Sequence, residues 1–174
     1  MKFFQSLTLI LVTITMCSLP TSAQENKTEM LLGVITKQDL QEKPFASWYN
    51  ASSDGYNVDE ASLKNLENLI KGVDVKIVMG TWCHDSKREV PRFYKILSSQ
   101  GIAESQVEMI AVNTKKHAPN GETDNMAITN TPTFIFYKEG VELNRIVETP
   151  VEALEIDMMK ILKGETYRHS KMSK

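Results

Sequence analysis

Three apolar runs mark the middle of the chain: Val73-Asp74-Val75-Lys76-Ile77-Val78-Met79, Val107-Glu108-Met109-Ile110-Ala111-Val112-Asn113, and Thr133-Phe134-Ile135-Phe136-Tyr137-Lys138. Each is short, rich in β-branched or aromatic residues and bounded by turn formers, so each predicts a strand. After the third, Glu139-Gly140 turns the chain, and Val141 to Val147 returns as the partner of a hairpin. Between these runs the period changes. Leu63, Leu66, Leu69 and Ile70 recur at helical spacing, with Asp59 and Glu60 before them and Gly72 after, which predicts a helix from Asp59 to Lys71 with a core-facing leucine stripe. From Asp85 to Leu97 the apolar positions are Val90, Phe93, Ile96 and Leu97, while Lys87, Arg88 and Arg92 take the outer face; Pro91 lies inside and bends the helix. Val151 to Leu162 reads as a closing amphipathic helix, Thr123 to Ile128 as a short one, and Thr114 to Glu122 as loop. Glu165 to Lys174 reads as a frayed tail.

Upstream the pattern is looser. Met30 to Ile35 is either a short strand or an apolar lead-in, and Gln24 to Glu29 is polar. Thr36-Lys37-Gln38-Asp39 has the spacing of a capping box, so a helix starts there and Pro44 limits or restarts it. Phe45, Trp48, Tyr49 and Tyr56 stand in a segment otherwise rich in Asn, Ser, Asp and Gly, and cover one edge of the core.

The first residues follow another logic. Met1-Lys2, the apolar run Leu7 to Ile14 and Thr21-Ser22-Ala23 together read as a secretory signal cleaved before Gln24. The competing readings are an uncleaved N-terminal membrane anchor and lipidation at Cys17, against which Met16 argues because a small residue is wanted there. All three put the folded part outside the cytoplasm, periplasmic or secreted. The division is then residues 1–23 signal, 24–58 accessory N-terminal segment, 59–163 the main domain and 164–174 a flexible tail.

Charge adds little. The formal net charge is −2, and no Lys/Arg block stands out, which argues against a nucleic-acid partner or an anionic membrane surface. His84, His117 and His169 show no ligand spacing, so neither a metal nor another cofactor is expected. Cleavage after Ala23 removes Cys17 and leaves Cys83 as the one cysteine, with no intramolecular disulfide available. An unpaired thiol in an oxidising compartment is usually avoided, so its retention points to use; the alternative is a buried, inert cysteine.

The chemistry gathers at Gly80-Thr81-Trp82-Cys83-His84-Asp85-Ser86, where the first strand hands over to the charged helix. A cysteine there sits at a helix N-terminus, where unpaired N–H groups and the helix dipole favour a thiolate. His84, if protonated, supports that charge, and Asp85 opposes it. Ser86, one turn along, has a hydroxyl that can donate to the sulfur but cannot attack a disulfide.

Trp82-Cys83-His84-Asp85-Ser86 resembles the Trp-Cys-x-x-Cys active site of the thioredoxin-like superfamily, with Ser86 in place of the second cysteine. Pro91 matches that family's helix proline, and Thr131-Pro132-Thr133 looks like its cis-proline loop. The resemblance spans roughly Asp59 to Leu162 and implies an α/β, thioredoxin-like fold, a central mixed sheet flanked by helices. It also implies a cis Thr131–Pro132 bond opposite the cysteine, with exposed backbone that pairs with a bound peptide. Ile77 stands where the family carries a buried acid, so that proton relay is missing.

On this resemblance the expected activity is monothiol thiol–disulfide exchange or isomerisation, with Cys83 as nucleophile and Trp82, His84 and Ser86 around it. Thr131 and Pro132 would dock the substrate. The partners are protein or small-molecule disulfides and an external thiol reductant, acting on a monomer. A non-redox binding or chaperone-like module on the same fold is the alternative.

Overall fold

The computed structural model describes residues 30–172. The expected signal, its Cys17 and the polar stretch 24–29 lie outside the described residues. In chain order the elements are β1 (Gly33–Ile35), α1 (Lys37–Leu40), α2 (Ala46–Asp54), α3 (Leu66–Leu69), β2 (Val73–Met79), α4 (His84–Ser99), β3 (Val107–Ala111), β4 (Thr133–Lys138), β5 (Val141–Val147) and α5 (Leu154–Leu162). No helix among the described residues is long and apolar enough to cross a membrane.

The sheet has five strands in the order β1-β3-β2-β4-β5. β2 lies at its centre, parallel to β3 and antiparallel to β4; β5 and β1 run antiparallel along the two edges. β2 is buried on both faces at its end, which is why Ile77-Val78-Met79 is continuously apolar rather than alternating. Its alternate residues Val73, Val75, Ile77 and Met79 join Phe93 and Leu97 of α4 and Leu154 and Met158 of α5 in the main core. There the Phe93 ring centroid lies 5.0 Å from that of Phe134 and 6.4 Å from that of Phe136. Val78, Ile110 and Val112 face the other way and meet Ala118, with Met126 and Ile128 packed against them. The hairpin turns through Glu139 and Gly140, both at positive φ, the backbone a tight two-residue connection requires.

Three expectations change. The helix expected over Asp59 to Lys71 shrinks to α3, with turns before it. The Asp59 carboxylate takes the Ala61 N–H and the Ser62 hydroxyl, and Asn65 is left-handed at φ 71, so local turn chemistry wins over the helix period. Leu63, Leu66 and Ile70 are nevertheless buried. Thr123 to Ile128 forms turns instead of a helix, with Ala127 at φ 50.

The tail is not frayed over its described part. Tyr167 is buried, its hydroxyl donates to Asp157 at 2.8 Å, and its carbonyl accepts from the Asn144 amide at 3.1 Å. The N-terminal segment is likewise built in: β1 extends the sheet and α2 packs along α4. Thr36 caps α1 with the reciprocal Asp39 contact that the spacing predicts, and hydrogen bonds from Thr36 hold the Asp39 carboxyl below its usual range.

Candidate active site

β2 ends at Met79, and the Cys83 N–H closes a turn onto the Gly80 carbonyl at 2.9 Å. Cys83 is the N-cap of α4, extended at φ −83 and ψ 128, and its carbonyl accepts the Lys87 N–H at 3.1 Å. Its side chain makes no cap, so the sulfur is free to turn away from the helix. Half-exposed, it donates to the Thr131 carbonyl at 3.1 Å. Cys83 is the one cysteine among the described residues.

The neighbouring side chains are used to hold this turn. A Cβ at Gly80 would fall 2.5 Å from Cε2 and 2.6 Å from Nε1 of Trp82, so the indole lies directly against bare backbone. Its Nε1–H donates to the Val112 carbonyl at 2.9 Å, just past the end of β3. Ser86 has no exposed surface, and its Oγ accepts the Gly80 N–H at 3.2 Å. Ser86 thereby holds the turn, and its own hydroxyl proton is not used in that bond. Thr81 is buried and accepts the Leu31 N–H at 3.2 Å, which ties the approach to β1 to the same turn.

His84 is exposed at the first helical position. Asp85 pairs with Arg88 at 2.7 Å, and Arg88 also reaches the buried Glu89 at 2.5 Å. Arg92, 3.6 Å from Glu89, lies over the Tyr56 ring at 4.9 Å. Burial and the nearby Glu155 carboxylate push the Tyr56 hydroxyl above its ordinary range.

The Thr131–Pro132 bond is cis, and both residues are buried. Each carbonyl has a partner within the chain: Thr131 faces Cys83, and Pro132 accepts the Glu148 N–H at 2.7 Å. The loop thus lies opposite the cysteine, as the resemblance implies. Ile77 is fully buried in the main core.

Cys83, Trp82, Ser86, Thr131 and Pro132 come together at the end of the central strand, with His84 at the rim. The fold is α/β, a mixed five-stranded sheet flanked by helices, as the resemblance implies. No protein-family model matches the chain, and neither does any curated protein. Five chains of known structure match. The chain is similar to thioredoxin from Fasciola hepatica, at 24% identity over 48% of this chain and 79% of that one, with a TM-score of 0.33. It is also similar to mitochondrial thioredoxin 3 from Saccharomyces cerevisiae in its oxidised form, at 24% identity over 49% and 76%, TM-score 0.33. A protein of unknown function from Pseudomonas aeruginosa aligns at 14% identity over 68% and 80%, TM-score 0.47.

Sequence reasoning gave Gly80 no role of its own within the site and missed Glu148. For Gly80 a signal existed, since glycine is favoured wherever another group approaches the backbone closely. For Glu148 none did, because its contacts come from residues remote in the chain.

Proposed function

We propose that the chain is an exported thioredoxin-like thiol–disulfide exchange protein working through one thiol, on protein or small-molecule disulfides. The observation that carries this is a half-exposed Cys83 at the start of α4, beside a buried Ser86 that takes the place of a resolving cysteine. In the first step the Cys83 thiolate attacks one sulfur of a disulfide, forms a mixed disulfide, and expels the other sulfur as a thiolate. Ser86 offers no sulfur for the second step. An external thiol, from a small molecule or from the substrate itself, then attacks the mixed disulfide and returns Cys83 as thiolate. A substrate thiol leaves the substrate with its disulfide re-paired, an isomerisation. A small-molecule thiol leaves it bonded to that thiol, and a second equivalent of the small thiol releases the substrate reduced and departs as the small-molecule disulfide. Trp82 covers the turn that carries the sulfur, and Thr131 holds the sulfur from the opposite side. Export rests on the N-terminal sequence, and places the reaction where disulfides persist.

The test uses protein lacking residues 1–23 and follows reduction of oxidised glutathione by an excess of dithiothreitol. Wild type is expected to accelerate it and to give a trapped mixed disulfide at Cys83 by mass spectrometry, with both lost in Cys83→Ser. No acceleration by wild type, or full activity in Cys83→Ser, overturns the reading. Retained binding of a partner by Cys83→Ser, without turnover in wild type, identifies a binding module instead.

A further inference from the structure

The C-terminal segment runs along the open edge of β5 and ends beside the loop that faces Cys83. Tyr167 anchors it, its hydroxyl on Asp157 and its carbonyl bonded by Asn144. The Ser170 hydroxyl donates to the Val147 carbonyl at 2.7 Å, and Lys171 pairs with the Glu148 carboxylate. Glu148 in turn holds the site loop twice. Its N–H donates to the Pro132 carbonyl at 2.7 Å, and its Oε1 accepts from the Asn130 amide at 3.2 Å. Between these two residues lies Thr131, whose carbonyl receives the Cys83 sulfur. A continuous set of contacts therefore runs from Lys171 through Glu148 to the reacting atom.

Glu148 occupies this junction against its own backbone preference. Its φ is +65, the left-handed region that a side-chain-bearing residue seldom enters and glycine enters freely. A glutamate kept there is explained by what its carboxylate does. The Lys171 ammonium, then the Asn130 amide, hold that carboxyl below its usual range, and the Arg88 charge adds to the effect.

We propose that Glu148 is a positioning residue for the exchange reaction, latched by Lys171 so that residues 130–132 hold the Thr131 carbonyl on the Cys83 sulfur. This rests on the thiol–disulfide reading of the site. Release of the latch frees the loop, uncovers one side of the sulfur and loosens the line along which a disulfide is attacked. Small alkylating reagents then gain access while exchange loses geometry. An ion pair of this exposure is salt-sensitive, so high salt partly mimics its removal.

The experiment measures two rates in wild type, Lys171→Met, Glu148→Gln and Glu148→Gly: iodoacetamide alkylation of Cys83, and exchange with oxidised glutathione. The variants are expected to alkylate about threefold faster and to exchange slower by a similar factor, the size of effect one partly exposed ion pair can exert. Wild type moves toward them in high salt, whereas Lys171→Met does not respond. Glu148→Gly separates positioning from general support: removal of the left-handed strain should leave its urea midpoint at or above that of Glu148→Gln, with both rates still shifted. Unchanged alkylation in all three variants overturns the latch. A wild type that alkylates but never exchanges removes the thiol–disulfide reading, and the alkylation rates alone then decide for or against the latch.

Discussion

Gly80→Ala should be one of the more damaging single-methyl additions in this chain, and the damage should pass through Trp82. The added Cβ would lie 2.5, 2.6 and 2.9 Å from Cε2, Nε1 and Cζ2 of the indole. Those atoms belong to a rigid ring and not to the end of a flexible chain, so the ring has to swing off the backbone. Swinging breaks the Nε1–H bond to the buried Val112 residue's carbonyl, and a buried acceptor left without its donor costs about 1–3 kcal/mol. Residual overpacking adds about 1–3 kcal/mol. Against this, alanine narrows the unfolded ensemble and returns roughly 0.4–1 kcal/mol, because the φ at Gly80 is not positive. A net loss of about 1–6 kcal/mol, centred near about 3, is expected. In a Trp82→Ala background the obstacle is gone, and the same substitution should cost less than about 1 kcal/mol. Urea unfolding of wild type, the two single variants and the double variant, followed by far-ultraviolet circular dichroism, measures the coupling without relying on Trp82 fluorescence. A coupling energy below about 0.5 kcal/mol would refute the claim that the indole is what needs a glycine at this position.

Two further outcomes follow from the same geometry. Ser86→Cys should place a second thiol one helical turn from Cys83, and mild oxidation is expected to remove both thiols from titration as an internal disulfide; two thiols persisting after oxidation would count against the site geometry. Glu148 carries a carboxyl whose folded value is depressed, first by Lys171 and then by Asn130, from an ordinary 4.5. Its stabilising contribution is therefore complete above that ordinary value and is lost as pH falls through the depressed one. The difference in urea midpoint between wild type and Lys171→Met should shrink as the solution is acidified below about pH 4.5, and a difference that grows instead would show that Lys171 acts elsewhere.

Much of the fold is local information. β2, β4 and β5 could be read from apolar runs between turn formers, and α4 from the spacing of Val90, Phe93 and Leu97, because period and burial agree there. Asp59 to Lys71 shows where that logic fails. The leucines recur at helical spacing and are buried, but a carboxylate that satisfies nearby backbone donors and a left-handed Asn65 allow a chain of turns to bury the same residues. The tail failed for the opposite reason. Its residues 165–172 look polar, and only the fold reveals that Asp157, on α5, offers a buried acceptor to Tyr167.

The site divides along the same line. Trp-Cys at the junction of a strand and a helix is a contiguous signal, and it placed Cys83 at the N-cap of α4. What the neighbours of that sulfur do is decided by atoms far off in sequence or by choices among close partners. Ser86 is buried, and its hydroxyl oxygen accepts the Gly80 N–H, a donor that the turn would otherwise leave unsatisfied in a buried place. Thr131 presents its carbonyl to the sulfur, and Glu148 secures the loop on the other side. Together these contacts make the turn and the loop one unit with the cysteine between them. On the proposed exchange reading, the grip on that loop, together with the cysteine's position at the helix start, sets the line along which a disulfide meets the sulfur. This is why loosening the loop is expected to speed alkylation by a small reagent while slowing exchange.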